Sequence, residues 1–95
     1  METKTFPMAK FRLGHIVSTP NALSQLTEED ILTGIQRHQS GDWGDVDDHD
    51  RLANERALVE GMRILSAYQA ANGTKFWLIT EHHRRHTTVL LPEDY

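Results

Sequence analysis

At Met62 the hydrophobic period of the chain changes, and that change decides the class of fold available to it. Upstream, apolar residues recur three and four apart. Downstream, "MRILSAYQA" sets Met62, Ile64, Ser66 and Tyr68 against Arg63, Leu65, Ala67 and Gln69, a period of two. Asn72-Gly73 follows, a dipeptide that accepts the left-handed backbone of a tight hairpin, and "TKFWLITE" supplies the partner strand. Phe76, Trp77, Leu78 and Ile79 are all large and apolar, so both faces of that strand should be covered and the strand should be central. "TTVLLP" reads as a last strand reached through "HHRRH", and Pro92, lacking an amide, ends it. The chain therefore closes with a three-stranded antiparallel meander.

The upstream half reads as one strand and two to three helices. Lys10–Ser18, "KFRLGHIVS", suits a first strand, with Phe11 and Leu13 alternating against Arg12 before β-branched Ile16 and Val17. Thr19-Pro20 should end it and start a short helix to Leu26, whose apolar residues are Ala22, Leu23 and Leu26. A second helix starts at Thr27, with acids at 28 to 30 near its positive end and Arg37 and His38 near its negative end. Ile31, Leu32, Ile35 and His38 form its stripe, Gly34 permits close packing, and Gly41 terminates it. A third, capped by Asp47 and stopped by Gly61, offers Leu52, Ala53, Arg56, Ala57 and Val59 as a broad, weakly apolar face. Together these elements make an α+β domain spanning 10–95, with helices on one face of a mostly antiparallel sheet, preceded by a fraying tail, Met1–Ala9.

Bulk properties narrow the function classes. Ninety-five residues bury one core and no second one, and 38% hydrophobic with 25% charged residues is an ordinary globular balance. Without cysteine there is neither a disulfide framework nor a thiolate metal site, which suits a reducing cytoplasm. No apolar run reaches membrane-spanning length, and the first residues lack the apolar core of a signal peptide. A net charge of −4 opposes nonspecific attraction to nucleic-acid phosphates. A nucleic-acid surface would have to be assembled from Lys4, Lys10, Arg12, Arg84 and Arg85.

"GDWGDVDDHDRLANERAL", "RILSAYQAANGTKFWLITE" and "TTVLLPEDY" resemble a family of small bacterial proteins carried on plasmids and integrated mobile elements. Members are described as plasmid-related proteins, and some carry the label type I restriction endonuclease subunit M. The resemblance runs from Leu13 to Tyr95 and implies a mobile-element setting without implying a chemistry. A methyltransferase would need a far larger Rossmann-like domain with a glycine-rich cofactor turn, and this chain has no such motif. Between "ITE" and "TTVLLP" relatives usually carry alanine, aspartate, arginine and two small residues. Here His82, His83, Arg84, Arg85 and His86 stand instead, and only Arg84 matches. A fixed catalytic carboxylate in this hairpin is accordingly not expected.

Two stretches are rich enough to host a site. In "GDWGDVDDHD", Asp42, Asp45, Asp47, Asp48 and Asp50 lack the spacing and glutamate of an EF-hand. They are better suited to turns and helix capping, with Trp43 in the core and a residual acidic face for a basic partner or for mimicry of nucleic-acid phosphates. In "EHHRRH", Arg84, Arg85 and three imidazoles make a cationic tip able to hold a phosphate or an acidic partner. Asp45, Asp47, His49, His82, His83 and His86 form an alternative metal set for a small hydrolase or nuclease. His15 and His38 read as hydrogen-bonded core or boundary residues, though Ser18 or Ser66 with His15 and an aspartate would supply the residue types of a hydrolase. The leading expectation is a non-enzymatic interaction module without a cofactor. It would bind an unidentified protein through Asp42, Trp43, Asp45, Asp47, Asp48, Asp50, Arg84 and Arg85, with a homodimer through exposed sheet edges as a further option.

Overall fold

A computed structural model describes residues 9–95 and shows an α+β domain of three α-helices and a four-stranded mixed sheet. In chain order the elements are β1 (His15–Ser18), α1 (Pro20–Gln25), α2 (Glu28–Gln39), α3 (Asp48–Glu60), β2 (Ile64–Gln69), β3 (Lys75–Thr80) and β4 (His86–Leu90), with a 3-10 turn at Pro92–Asp94. Lys4 and the tail read as fraying, apart from Ala9, lie outside the described residues. The strand order is β1-β4-β3-β2, with β2, β3 and β4 an antiparallel meander and β1 parallel to β4. The expected first strand over Lys10–Ser18 is shorter than its pattern suggests because Gly14 breaks it. At φ 66 its backbone turns so closely that a Cβ would sit 2.1 Å from the Arg85 carbonyl.

Register explains the layers. Ile64, Ser66 and Tyr68 stand opposite Thr80, Leu78 and Phe76, so these six share one face. All three helices cover that face: Ala22 and Leu26 of the α1 region and Ile31 and Ile35 of α2 pack with Tyr68, Phe76, Leu78 and Val89, while Ala57 and Leu58 of α3 pack with Ile64 and Trp43. Gly34 brings α2 close to the sheet, since a Cβ there would lie 2.9 Å from the Phe76 ring. On the opposite face the C-terminal turn folds back, with Tyr95 edge-on to Trp77 at 5.6 Å and Arg63 Nη1 donating to the Tyr95 hydroxyl at 3.0 Å. Phe76, Leu78 and Ile79 are consequently buried, as expected of a central β3.

The helix starts follow the capping chemistry expected of them. Thr19 accepts from the Ala22 amide, Thr27 and Asp30 form a reciprocal capping box, and Asp47 accepts from the Asp50 amide. The inward face of α3 differs from expectation. Of the residues read as its apolar face only Ala57 is buried, and its buried partner is Asn54; Leu52, Ala53, Arg56 and Val59 face outward. The reason lies in β2. As the outer strand of its side of the sheet it carries backbone groups that β3 does not reach, and these need partners. The Asn54 carboxamide supplies both for Leu65, donating through Nδ2 to its carbonyl at 2.7 Å and accepting from its amide at 3.1 Å. That pair sets the rotation of α3 about its axis.

Ala67, the next outward-facing residue, is matched by the acidic turn. Its amide donates to the Trp43 carbonyl at 3.0 Å, and its carbonyl accepts from the Asp45 amide at 2.7 Å, a one-residue parallel bridge centred on Gly44. Glycine is required there, because at φ 73 a Cβ would stand 2.0 Å from the Ala67 carbonyl oxygen. Replacing Asn54 by leucine, similar in size but without hydrogen-bonding groups, strands both Leu65 backbone groups. We expect a loss of about 2–4 kcal/mol in urea unfolding at neutral pH, whereas Glu55→Leu on the exposed side should change stability by less than about 0.5 kcal/mol.

Candidate functional site

The acidic turn is held from three directions. Arg37 Nε donates to Asp42 Oδ2 at 2.7 Å and its Nη2 to Oδ1 at 3.2 Å, while Oδ1 also accepts from the Gly44 amide at 3.2 Å. These bonds hold the Asp42 carboxyl below the ordinary carboxylate range, the Arg37 guanidinium contributing most. The Tyr68 hydroxyl donates to the Asp42 carbonyl at 2.6 Å, and burial raises its pKa. Trp43 is buried, stacked on Phe11 at 6.2 Å and edge-on to His38 at 6.1 Å, so it belongs to the core and is inaccessible to a partner. Asp45, Asp47, Asp48 and Asp50 project outward; Asp47 caps α3, and Asp48 lies within 3.5 Å of Arg51.

Beyond this acidic corner the outer side of α3 sets exposed Leu52 and Val59 among the charged side chains of Arg51, Glu55, Arg56 and Glu60. Leu52 and Val59, seven residues apart and therefore on one side of the helix, are 58% and 87% exposed. His49, Leu52, Ala53 and Arg56 enclose a shallow depression on the same side.

The hairpin between β3 and β4 is less cationic than its sequence. Arg84 takes a left-handed conformation, φ 59, and turns inward. Its Nη1 donates to the carbonyls of Met62 at 2.6 Å and Glu81 at 3.0 Å, and its Nη2 to that of Ala57 at 3.1 Å, so it closes the C-terminal end of α3. Arg85, His82, His83 and His86 remain exposed. The His83 ring lies 5.0 Å from His82 and 4.8 Å from His86, and its Nδ1 accepts from the Arg85 amide. His15, exposed rather than at a boundary, stands beside His86 in register.

The two halves of the candidate metal set are not brought together. Arg84 ties the histidine hairpin to one end of α3 and Asp47 caps the other, about 20 Å apart for thirteen residues. Among the described residues, the potential ligand atoms that do converge belong to Asp47, His49 and Asp50, within 4.8 Å of one another and all exposed. A hydrolase built on Ser18 or Ser66 with His15 is not assembled either: Ser66 pairs with His38, and Ser18, three residues from His15 on β1, projects to the opposite face.

That pairing is a buried polar chain crossing the core. His38 Nδ1 lies 2.5 Å from Ser66 Oγ, His38 Nε2 lies 2.8 Å from Thr80 Oγ1, Thr80 Oγ1 lies 2.7 Å from Thr87 Oγ1, and Thr87 Oγ1 donates to the Leu13 carbonyl at 2.8 Å. The last bond orients the rest: with Thr87 committed to Leu13, Thr80 donates to Thr87, His38 Nε2–H donates to Thr80, and Ser66 donates to the free Nδ1. Every hydroxyl hydrogen in the chain is then used and the imidazole is neutral. His38, Ser66, Thr80 and Thr87 are fully buried, and among the described residues no carboxylate bonds the imidazole, so this arrangement ties α2 to the sheet inside the core. Serine and threonine at the inward, period-two positions of three strands, facing a histidine on an apolar stripe, are its sequence signature.

Against protein-family models, curated proteins and solved structures alike, the chain finds no match.

Burial, with a smaller contribution from the Arg84 charge, pushes the His38 pKa down to about 3. An unfolded histidine titrates near 6.5, so below that pH the unfolded chain takes up a proton that the folded one refuses. This part of the stability is present above pH 6.5 and is lost as pH falls toward 3. We expect urea unfolding to give about 1.4 kcal/mol less stability at pH 5.5 than at pH 7.5 from this residue, and His38→Gln to abolish that difference. Both proteins should carry His83→Ala, because the His83 pKa is also lowered.

Proposed function

We propose that this chain is a non-enzymatic protein-interaction module, docking through the outer face of α3 and the acidic corner that precedes it. One observation carries the reading: α3 spends its inward side on Asn54 and Ala57 and leaves Leu52 and Val59 in solvent, beside the exposed carboxylates of Asp45, Asp47, Asp48 and Asp50. A partner fitted to that surface has an apolar groove with basic residues at one end. The proposed setting is the cytoplasm of a cell carrying a mobile genetic element. It rests on the sequence resemblance and on the lack of cysteine; among the described residues, no helix is long and apolar enough to cross a membrane.

The alternative, a small metal-assisted hydrolase or nuclease, draws on the convergence of Asp47, His49 and Asp50. Against it, Asp47 Oδ1 is already committed to the Asp50 amide, and all three side chains are exposed, with neither aspartate lining the shallow depression beside His49.

Recovery of tagged protein from its host tests both readings. A partner retained by the wild type should be bound roughly tenfold or more weakly by Leu52→Asp with Val59→Asp, two exposed changes that leave the circular dichroism spectrum intact. Undiminished recovery by that variant would contradict the docking surface. Micromolar binding of Mg²⁺, Mn²⁺ or Zn²⁺ in calorimetry, abolished by Asp47→Asn, would favour the metal reading instead.

A further inference from the structure

The two edges of the sheet are treated differently. On β2 the outward groups of Leu65 and Ala67 are matched by Asn54 and by the acidic turn. On β1 the His15 amide donates to the Arg85 carbonyl at 2.8 Å and the Thr19 amide to the Val89 carbonyl at 3.0 Å, so residues 15, 17 and 19 face β4. By the alternation of a strand, the amides and carbonyls of Ile16 and Ser18 point away from the sheet, and among the described residues no strand but β4 pairs with β1. Ile16 and Val17, on opposite faces of this edge, are each about half exposed, and Leu23 on the adjoining helix is more so.

We infer that this edge receives β1 of a second copy of the chain, antiparallel, about a two-fold axis at Val17. In that register Ile16 of each copy meets Ser18 of the other, giving four backbone hydrogen bonds from the four outward-facing residues. Val17 meets Val17 as the closely spaced pair between them, and an eight-stranded sheet results. The charges agree with this direction. The His15 end of β1 is basic, with His86 in register beside it and Arg85 next to that. The Thr19 end is acidic: the Thr19 hydroxyl donates to Asp94 Oδ2 at 2.6 Å, and Glu93 adjoins. Antiparallel pairing sets each basic corner against an acidic one, twice. Because both outer edges of the resulting sheet would be β2, whose outward groups at Leu65 and Ala67 are already matched, growth stops at two copies.

Analytical ultracentrifugation from micromolar to millimolar concentration should show the wild type moving toward twice its 10.9 kDa mass. Val17→Lys, which sets two ammonium groups on the axis, should stay monomeric with an unchanged circular dichroism spectrum. The chain has no cysteine, so Val17→Cys offers a clean second measurement. On air oxidation it should form a disulfide-linked dimer much faster than Leu52→Cys on the exposed side of α3. A wild type that remains monomeric throughout, a dimer undisturbed by Val17→Lys, or equal linking of the two cysteine variants would overturn the inference.

Discussion

An edge strand must find partners for the amides and carbonyls that its sheet neighbour does not reach, and much of the middle of this chain is arranged around those of β2. Leu65 takes the Asn54 carboxamide and Ala67 takes the backbone on either side of Gly44. Gly44 leaves room for the close approach, the Arg37–Asp42 ion pair holds the turn against α2, and Tyr68 fixes it from below. The ion pair is exposed at both ends, so its worth lies in geometry more than in energy. The backbone bridge has the larger role, because an unmet backbone group in a half-covered strand costs more than a surface charge pair returns.

Two properties of the surface follow from this closure. Pinning Asn54 to Leu65 sets the rotation of α3, and with Ala57 turned inward the helix has to present Leu52 and Val59 to solvent. The exposed acidic residues then divide into those whose carboxylates bond the backbone, Asp42 and Asp47, and those that do not, Asp45, Asp48 and Asp50. The exposed Leu52 and Val59 with an acidic start are a by-product of closing β2, and they form the surface proposed for a partner. With one edge closed, the other, short and bordered by Ile16 and Val17, is the edge proposed for strand addition.

Most of the architecture was legible in the chain itself. The change of period at Met62, the Asn72-Gly73 turn and the helix caps at Thr19, Thr27 and Asp47 all act within a few residues, so local chemistry determines them and they appear where expected. "FWLI" as a central strand was legible too, because four large apolar residues can be buried together only with cover on both faces. The inward face of α3 was not, because a hydrophobic pattern gives no weight to asparagine, and the residue that decides the rotation pairs with a backbone eleven positions away. Arg84 misled for a related reason. Beside Arg85 and three histidines it reads as a surface cation, and only the proximity of Ala57 and Met62 makes it a cap. The acidic turn was legible as turn and cap chemistry, but its pairing with Ala67 depends on tertiary structure that spacing does not encode.

Native-state hydrogen exchange tests the central claim most directly. If Asn54 and the acidic turn close the β2 edge, the outward-facing amides of Leu65 and Ala67 should exchange as slowly as the central amides of β3, opening only with global unfolding. Exchange of those two amides at the rate of an open sheet edge, while β3 stays protected, would contradict it.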